Sequence, residues 1–170
     1  MKRLALLTVV FLATCIVATA QPRAIGGRLA YNFGVSYQHG FGEKNMLQVD
    51  LDFPYYFWGI QATATYNWIF PIKSWSGPGS WNWYAGVGGG AGYIWGWRYH
   101  GIYGWNSWAG YGFAGVAGMI GVEYNFKFPL QLSLEWRPLI GPTFHRGGVI
   151  GFNYDGLYIS ALALGVRYKF

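Results

Sequence analysis

Bulky apolar residues alternate with small or charged ones along the end of this chain, and that period of two constrains the fold most. In residues 158–170, YISALALGVRYKF, the side chains Tyr158, Leu162, Leu164, Val166, Tyr168 and Phe170 share one parity, broken only by Ser160. Ile159, Ala161, Ala163, Gly165, Arg167 and Lys169 occupy the other. Strand side chains point alternately to opposite faces, so a strand here has one bulky apolar face and one small or charged face. A strand that closes a soluble sandwich carries the same pattern. The other end of the chain and its composition separate the two readings.

Residues 1–20 read as a processing segment. Lys2 and Arg3 form a positive n-region, residues 4–17 an apolar h-region, and Ala18-Thr19-Ala20 a small-residue cleavage site before Gln21. The apolar run falls short of the roughly 20 residues that a membrane-spanning helix requires. Leu12-Ala13-Thr14-Cys15 faintly matches a lipoprotein cleavage box, but Thr before the Cys is atypical. Cleavage after Ala20 removes Cys15, the only cysteine, and leaves residues 21–170 as one domain without thiol chemistry.

Loss of Lys2 and Arg3 lowers the formal charge from +6 to +4. The remaining basic residues are scattered rather than gathered on a stripe, which argues against nucleic acid as a partner. Aromatics make up 21% of the chain and charged residues only 11%, against about 25% charged in an ordinary soluble domain. A chain this apolar, with no spanning helix, satisfies its backbone groups in lipid by closing into a barrel.

Alternation recurs along the chain. Leu29, Tyr31, Phe33, Val35 and Tyr37 oppose Arg28, Asn32, Gly34, Ser36 and Gln38; Leu47, Val49, Leu51 and Phe53 oppose Gln48, Asp50 and Asp52. Ile60, Ala62, Ala64, Tyr66, Trp68 and Phe70 oppose Gln61, Thr63, Thr65 and Asn67. A glycine-rich strand follows, with Trp83, Val87, Tyr93 and Trp95 opposite Gly86, Gly88, Gly90 and Gly92. Val116, Ile120, Val122 and Tyr124 then oppose Ala117, Met119, Gly121 and Glu123, and Leu130, Leu132, Leu134 and Trp136 oppose Gln131, Ser133, Glu135 and Arg137. Pro54, the Ser-Gly-Pro-Gly-Ser run within residues 71–80 and Lys127-Phe128-Pro129 mark turns. Residues 97–108 read as an aromatic loop.

The faces decide the solvent. A narrow barrel in lipid has small and polar groups inside and bulky apolar groups outside. A one-residue slip reverses a whole strand, so the absence of Asp50, Asp52, Glu123, Glu135 and Arg137 from every bulky face is informative. The expected fold is all-β: an antiparallel up-and-down transmembrane β-barrel of eight strands after a cleaved signal peptide. Seven segments are plain. The eighth comes either from dividing residues 24–41 at Tyr31-Asn32 or from residues 142–153; the first choice is preferred, and it leaves residues 138–156 as an extracellular loop. On this assignment Leu134→Arg impairs assembly far more than Glu135→Gln.

The chain resembles the small eight-stranded outer-membrane barrels of Gram-negative bacteria, the OmpA-transmembrane-domain, OmpX and OmpW type. The resemblance rests on the leader, on Gly121-Val122-Glu123-Tyr124, on Leu132-Ser133-Leu134-Glu135-Trp136-Arg137 and on the closing Gly165-Val166-Arg167-Tyr168-Lys169-Phe170. It implies location in the cell outer membrane, a monomer surrounded by outer-membrane lipid, and Val166, Tyr168 and Phe170 as the signal read by the barrel-assembly machinery. It does not extend to cell-wall anchoring, because no peptidoglycan-binding domain follows in this sequence.

Arg28, Asp50, Asp52, Glu123, Glu135, Arg137 and Arg167 are the candidate lumen charges. They form either an internal paired network or the lining of a narrow channel for small solutes. The network is preferred, because eight-stranded interiors are filled by side chains. Tryptophans on strands suit an interfacial girdle. Trp97, Tyr99, Tyr103, Trp105 and Trp108 form a candidate loop binding surface for an unidentified ligand. The glycines at 86–92 lack the following helix of a dinucleotide site. His39, His100 and His145 lack the spacing of a zinc motif. No catalytic, metal or cofactor residues are assigned. The functional expectation is a non-enzymatic envelope-structural or loop-binding protein; the alternatives are the channel and an outer-leaflet lipid-modifying enzyme, for which no motif matches.

Overall fold

The computed structural model describes residues 21–30, 33–54, 58–75, 77–95, 98–101, 104–107, 110–145, 150–153 and 161–170. The expected signal peptide at 1–20 lies outside the described residues. The described residues form twelve strands: β1 Gln21–Ala30, β2 Phe33–Phe41, β3 Asn45–Phe53, β4 Gly59–Pro71, β5 Ser80–Ile94, β6 Arg98–Gly101, β7 Gly104–Ser107, β8 Tyr111–Asn125, β9 Leu130–Trp136, β10 Leu139–His145, β11 Ile150–Asn153 and β12 Leu162–Lys169. Eight of them close a ring of antiparallel neighbours in the order β1-β2-β3-β4-β5-β8-β9-β12, and β12 returns to β1.

Division of the first alternating segment supplies the eighth strand: β1 and β2 pair from Leu29↔Phe33 down to Gln21↔Gly40. Within residues 138–156, expected as a loop, the described residues form two strands, which corrects that expectation. After Pro138, which has no N–H to donate, β10 continues on β8 in the register β9 used: Trp136 faces Ile120 and Leu139 faces Ala117. β11 pairs in turn with β10. These two strands raise one side of the wall instead of adding to the ring. Likewise residues 97–108 are not wholly loop, since β6 and β7 form a separate two-stranded hairpin.

The alternation sorts side chains as the barrel requires. Leu29, Val35, Val87, Val116, Ile120, Leu134 and Leu164 are exposed on the outer wall, whereas Arg28, Ser36, Gln48, Asp50, Thr63, Glu123, Glu135 and Arg167 are buried in the lumen. Aromatics border the aliphatic band at the end carrying Gln21 and Phe170, here called the proximal end. There Phe70 stacks on Trp83 with ring centroids 4.4 Å apart, Trp81 meets Tyr124 at 4.6 Å, and Tyr168 meets Phe170 at 5.6 Å. Trp58, Tyr93, Trp95 and Phe152 are exposed towards the opposite, distal end.

A ring this narrow crowds its inner face, and inward glycines accommodate the crowding. A Cβ placed on Gly88 would lie 1.9 Å from the carbonyl oxygen of Ala64 on the neighbouring strand. Outward Gly27 has nothing within 4 Å of that position. Glycine therefore stands inside β5 to let adjacent backbones approach, which serves the wall itself and not a phosphate.

Candidate functional site: the lumen network

Each of the seven charges read from the sequence sits in the lumen, nearly or wholly removed from solvent. Ring closure brings together residues from five strands. Arg137 donates through Nη1 to Asp50 Oδ2 at 2.6 Å and pairs through Nη2 with Asp52. Arg28 bridges Asp52 Oδ1 and Glu135 Oε2, both at 3.3 Å. Arg167 reaches Glu135 Oε1 at 2.5 Å and spends its other donors on Ser133 at 2.6 Å and Ser36 at 2.8 Å.

Glu135 is the hub. Its two oxygens accept from Tyr84 at 2.7 Å, Ser133 at 2.7 Å and Gln48 at 3.1 Å, besides the two arginines. Burial of this carboxylate is tolerable because several donors replace water around it. Gln48 extends the chain of bonds by donating to Asp50 at 3.1 Å and accepting from Gln38 at 2.9 Å.

Glu123 anchors a second cluster nearer the proximal end. It accepts from Asn82 at 2.8 Å, Asn125 at 2.9 Å and Gln131 at 3.0 Å, and pairs with Arg23. Arg23 is absent from the seven charges read from the sequence. Strict alternation sets it beside Ile25 on the outer face, but the β1–β2 register shifts between Pro22 and Ala24. Such a bulge adds an unpaired residue and re-aims its side chain. Arg23 consequently enters the lumen, donating also to Gln38 at 2.8 Å. The signal available in advance was Pro22, which supplies no ladder donor.

Four arginines (Arg23, Arg28, Arg137, Arg167) thus meet four carboxylates (Asp50, Asp52, Glu123, Glu135), a formally neutral set. Arginine suits these positions because its rigid fork binds two oxygens at once. Beside the network lies an apolar cluster of Met46, Ile69, Tyr84 and Met119, and towards the distal end a second one of Phe113, Ala117 and Leu139. Arg137, just past β9, reaches across the lumen to Asp50 and Asp52 on β3.

The other candidate residues are not gathered here. Tyr99 and Trp105 stand on β6 and β7, where Tyr99 faces Asn106 and Trp105 faces His100. Trp97, Tyr103 and Trp108 lie outside the described residues. Val166, Tyr168 and Phe170 are exposed along the outer face and end of β12. His39 Nδ1 is 2.8 Å from the Tyr37 hydroxyl, while His145 stacks on Tyr111 and lies 3.2 Å from Thr143 Oγ1. Among the described residues no group of three or more His, Cys, Asp or Glu is placed to hold a metal ion. No family model, no curated protein and no solved structure matches this chain.

Proposed function

We propose that this chain is a non-enzymatic integral outer-membrane protein with a filled lumen, serving the envelope structurally or binding a ligand through its distal loops. One observation carries the reading: the barrel is inverted relative to a soluble one. Its outer wall exposes Leu29 at 56%, Val87 at 57%, Val116 at 69% and Leu134 at 57%, while Arg28, Arg137 and Arg167 are enclosed with their carboxylate partners. Exposed apolar area on a soluble monomer rarely forms patches beyond a few hundred Å², and a continuous apolar band around a barrel matches hydrocarbon as its solvent. The paired interior supports a structural role over conduction, because an eight-stranded lumen is filled by its own side chains.

Expression with the leader intact, followed by separation of inner and outer membranes, tests the location. The band should appear in the outer-membrane fraction and migrate faster unheated than boiled in detergent gels, as a closed barrel does. Recovery as a dissolved protein without detergent refutes the reading. Steady conductance of the refolded protein in planar bilayers would move the assignment to a channel. Altered acyl chains on lipid A incubated with it would move it to an enzyme.

A further inference from the structure

The lysines of this barrel gather at one end of it. Beyond residue 21 the sequence holds four lysines, Lys44, Lys73, Lys127 and Lys169, and the topology brings all of them to the proximal end. The three links between strands at that end, residues 42–44, 72–79 and 126–129, carry one each, and the fourth is the last residue of β12. Lys44, Lys73 and Lys127 are exposed. Lys169 is partly buried, with its ammonium donating to the Phe126 carbonyl at 2.7 Å. Glu43 is the one carboxylate side chain among the described residues of these links.

Every one of these lysines is next to the aromatic border. Lys127 lies between Phe126 and Phe128, whose rings are 4.8 Å apart, and Lys169 lies between Tyr168 and Phe170. The Lys44 carbonyl accepts from Ile69, adjacent to exposed Trp68, and Lys73 is two residues from Trp75, whose ring meets Trp81 at 5.0 Å. Aromatic rings favour the headgroup depth of a membrane, where an ammonium on a flexible stem meets phosphate.

We infer that the proximal rim is a docking surface for anionic lipid headgroups, one lysine per link gripping phosphodiesters around the circumference. The inference rests on the membrane reading above. Distribution of the charges decides the kind of occupant. A compact soluble anion would be met by cations converging on one patch, whereas these diverge around a ring, as an annulus of lipid requires. Basic residues near an anionic surface each strengthen attachment about five-fold, and salt screens the effect.

Brominated acyl chains quench nearby tryptophan, and Trp68, Trp75, Trp81 and Trp83 border this rim. The folded protein is placed in vesicles of phosphatidylglycerol and phosphatidylcholine, with one or the other brominated. At low salt, phosphatidylglycerol should be preferred by at least about three-fold, falling to no preference in K44Q/K73Q/K127Q and in concentrated salt. The K44R/K73R/K127R variant should retain the preference, and heat-dependent gel migration verifies that each variant is folded. Equal quenching by both lipids in the unmodified protein, or a preference that survives the glutamine variant, overturns the inference and leaves the membrane reading standing. Quenching by neither lipid overturns the membrane reading, and this inference with it.

Discussion

Glu135→Gln is the most searching perturbation of the lumen. The carboxylate receives five donors: Tyr84, Ser133 and Arg167 on one oxygen, Arg28 and Gln48 on the other. Glutamine preserves the shape but offers one acceptor oxygen, so its amide NH2 must confront donors whichever way it turns. Arg28 retains Asp52, and Arg167 retains Ser36 and Ser133, so neither is abandoned. Removing one partner of a buried ion pair costs about 3–5 kcal/mol, and each buried donor left unmet about 1–3. Retained bonds hold the expected loss near about 3 kcal/mol. On the proposed membrane placement, Leu134→Arg, one residue away and 57% exposed on the outer face, should cost about 2–4 kcal/mol if that position lies near the bilayer midplane. Alternation alone ranks the arginine variant as much the worse; the Glu135 hub makes the two comparable. Guanidinium unfolding in phosphatidylcholine vesicles, followed by tryptophan emission, measures both. A Glu135→Gln variant within about 0.5 kcal/mol of the parent, the range of inconsequential surface changes, would refute the argument that this network is tightly coupled.

Gly88→Ala should destabilise by about 1–3 kcal/mol because its methyl meets the Ala64 carbonyl, whereas Gly27→Ala should stay within about 0.5; vesicle unfolding that finds the two alike would contradict the crowded inner wall. Arg23→Met should cost roughly as much as breaking a partly buried pair, about 1–3 kcal/mol, while Arg23→Lys recovers part; an unchanged midpoint for Arg23→Met would mean that the bulge does not direct this side chain inward. If the closing aromatic strand is read during assembly, as proposed, deletion of Phe170, 70% exposed at the end of β12, should lower the amount of inserted barrel in cells without altering refolding in detergent, and normal levels would refute that role.

What was legible beforehand is what a period of two encodes. Leu134 and Glu135 point opposite ways because adjacent strand residues must, so one sequence strip distinguishes wall from lumen. The division between β1 and β2 is harder to read, since Leu29, Tyr31 and Phe33 keep one parity in the sequence, and Tyr31-Asn32 lie outside the described residues. Residues 142–153 read only as the alternative strand, and 138–156 as loop in the preferred assignment, because the pair Gly147-Gly148 weakens the alternation there. Pairing of β10 with β8 and with β11 overrode that local preference.

Local sequence thus determined the two faces of each ribbon and the class of fold, because side-chain direction in a strand depends only on position along it. Tertiary structure alone decided which charges meet. Arg28 and Glu135 are 107 residues apart, Arg23 and Glu123 100, and no local rule relates them. Their encounter depends on ring closure and on the stagger of each strand against the next, while the outward-to-inward turn of Arg23 depends on a bulge defined by its neighbour on β2. Such quantities belong to the pairing of strands and exist only once the barrel has closed.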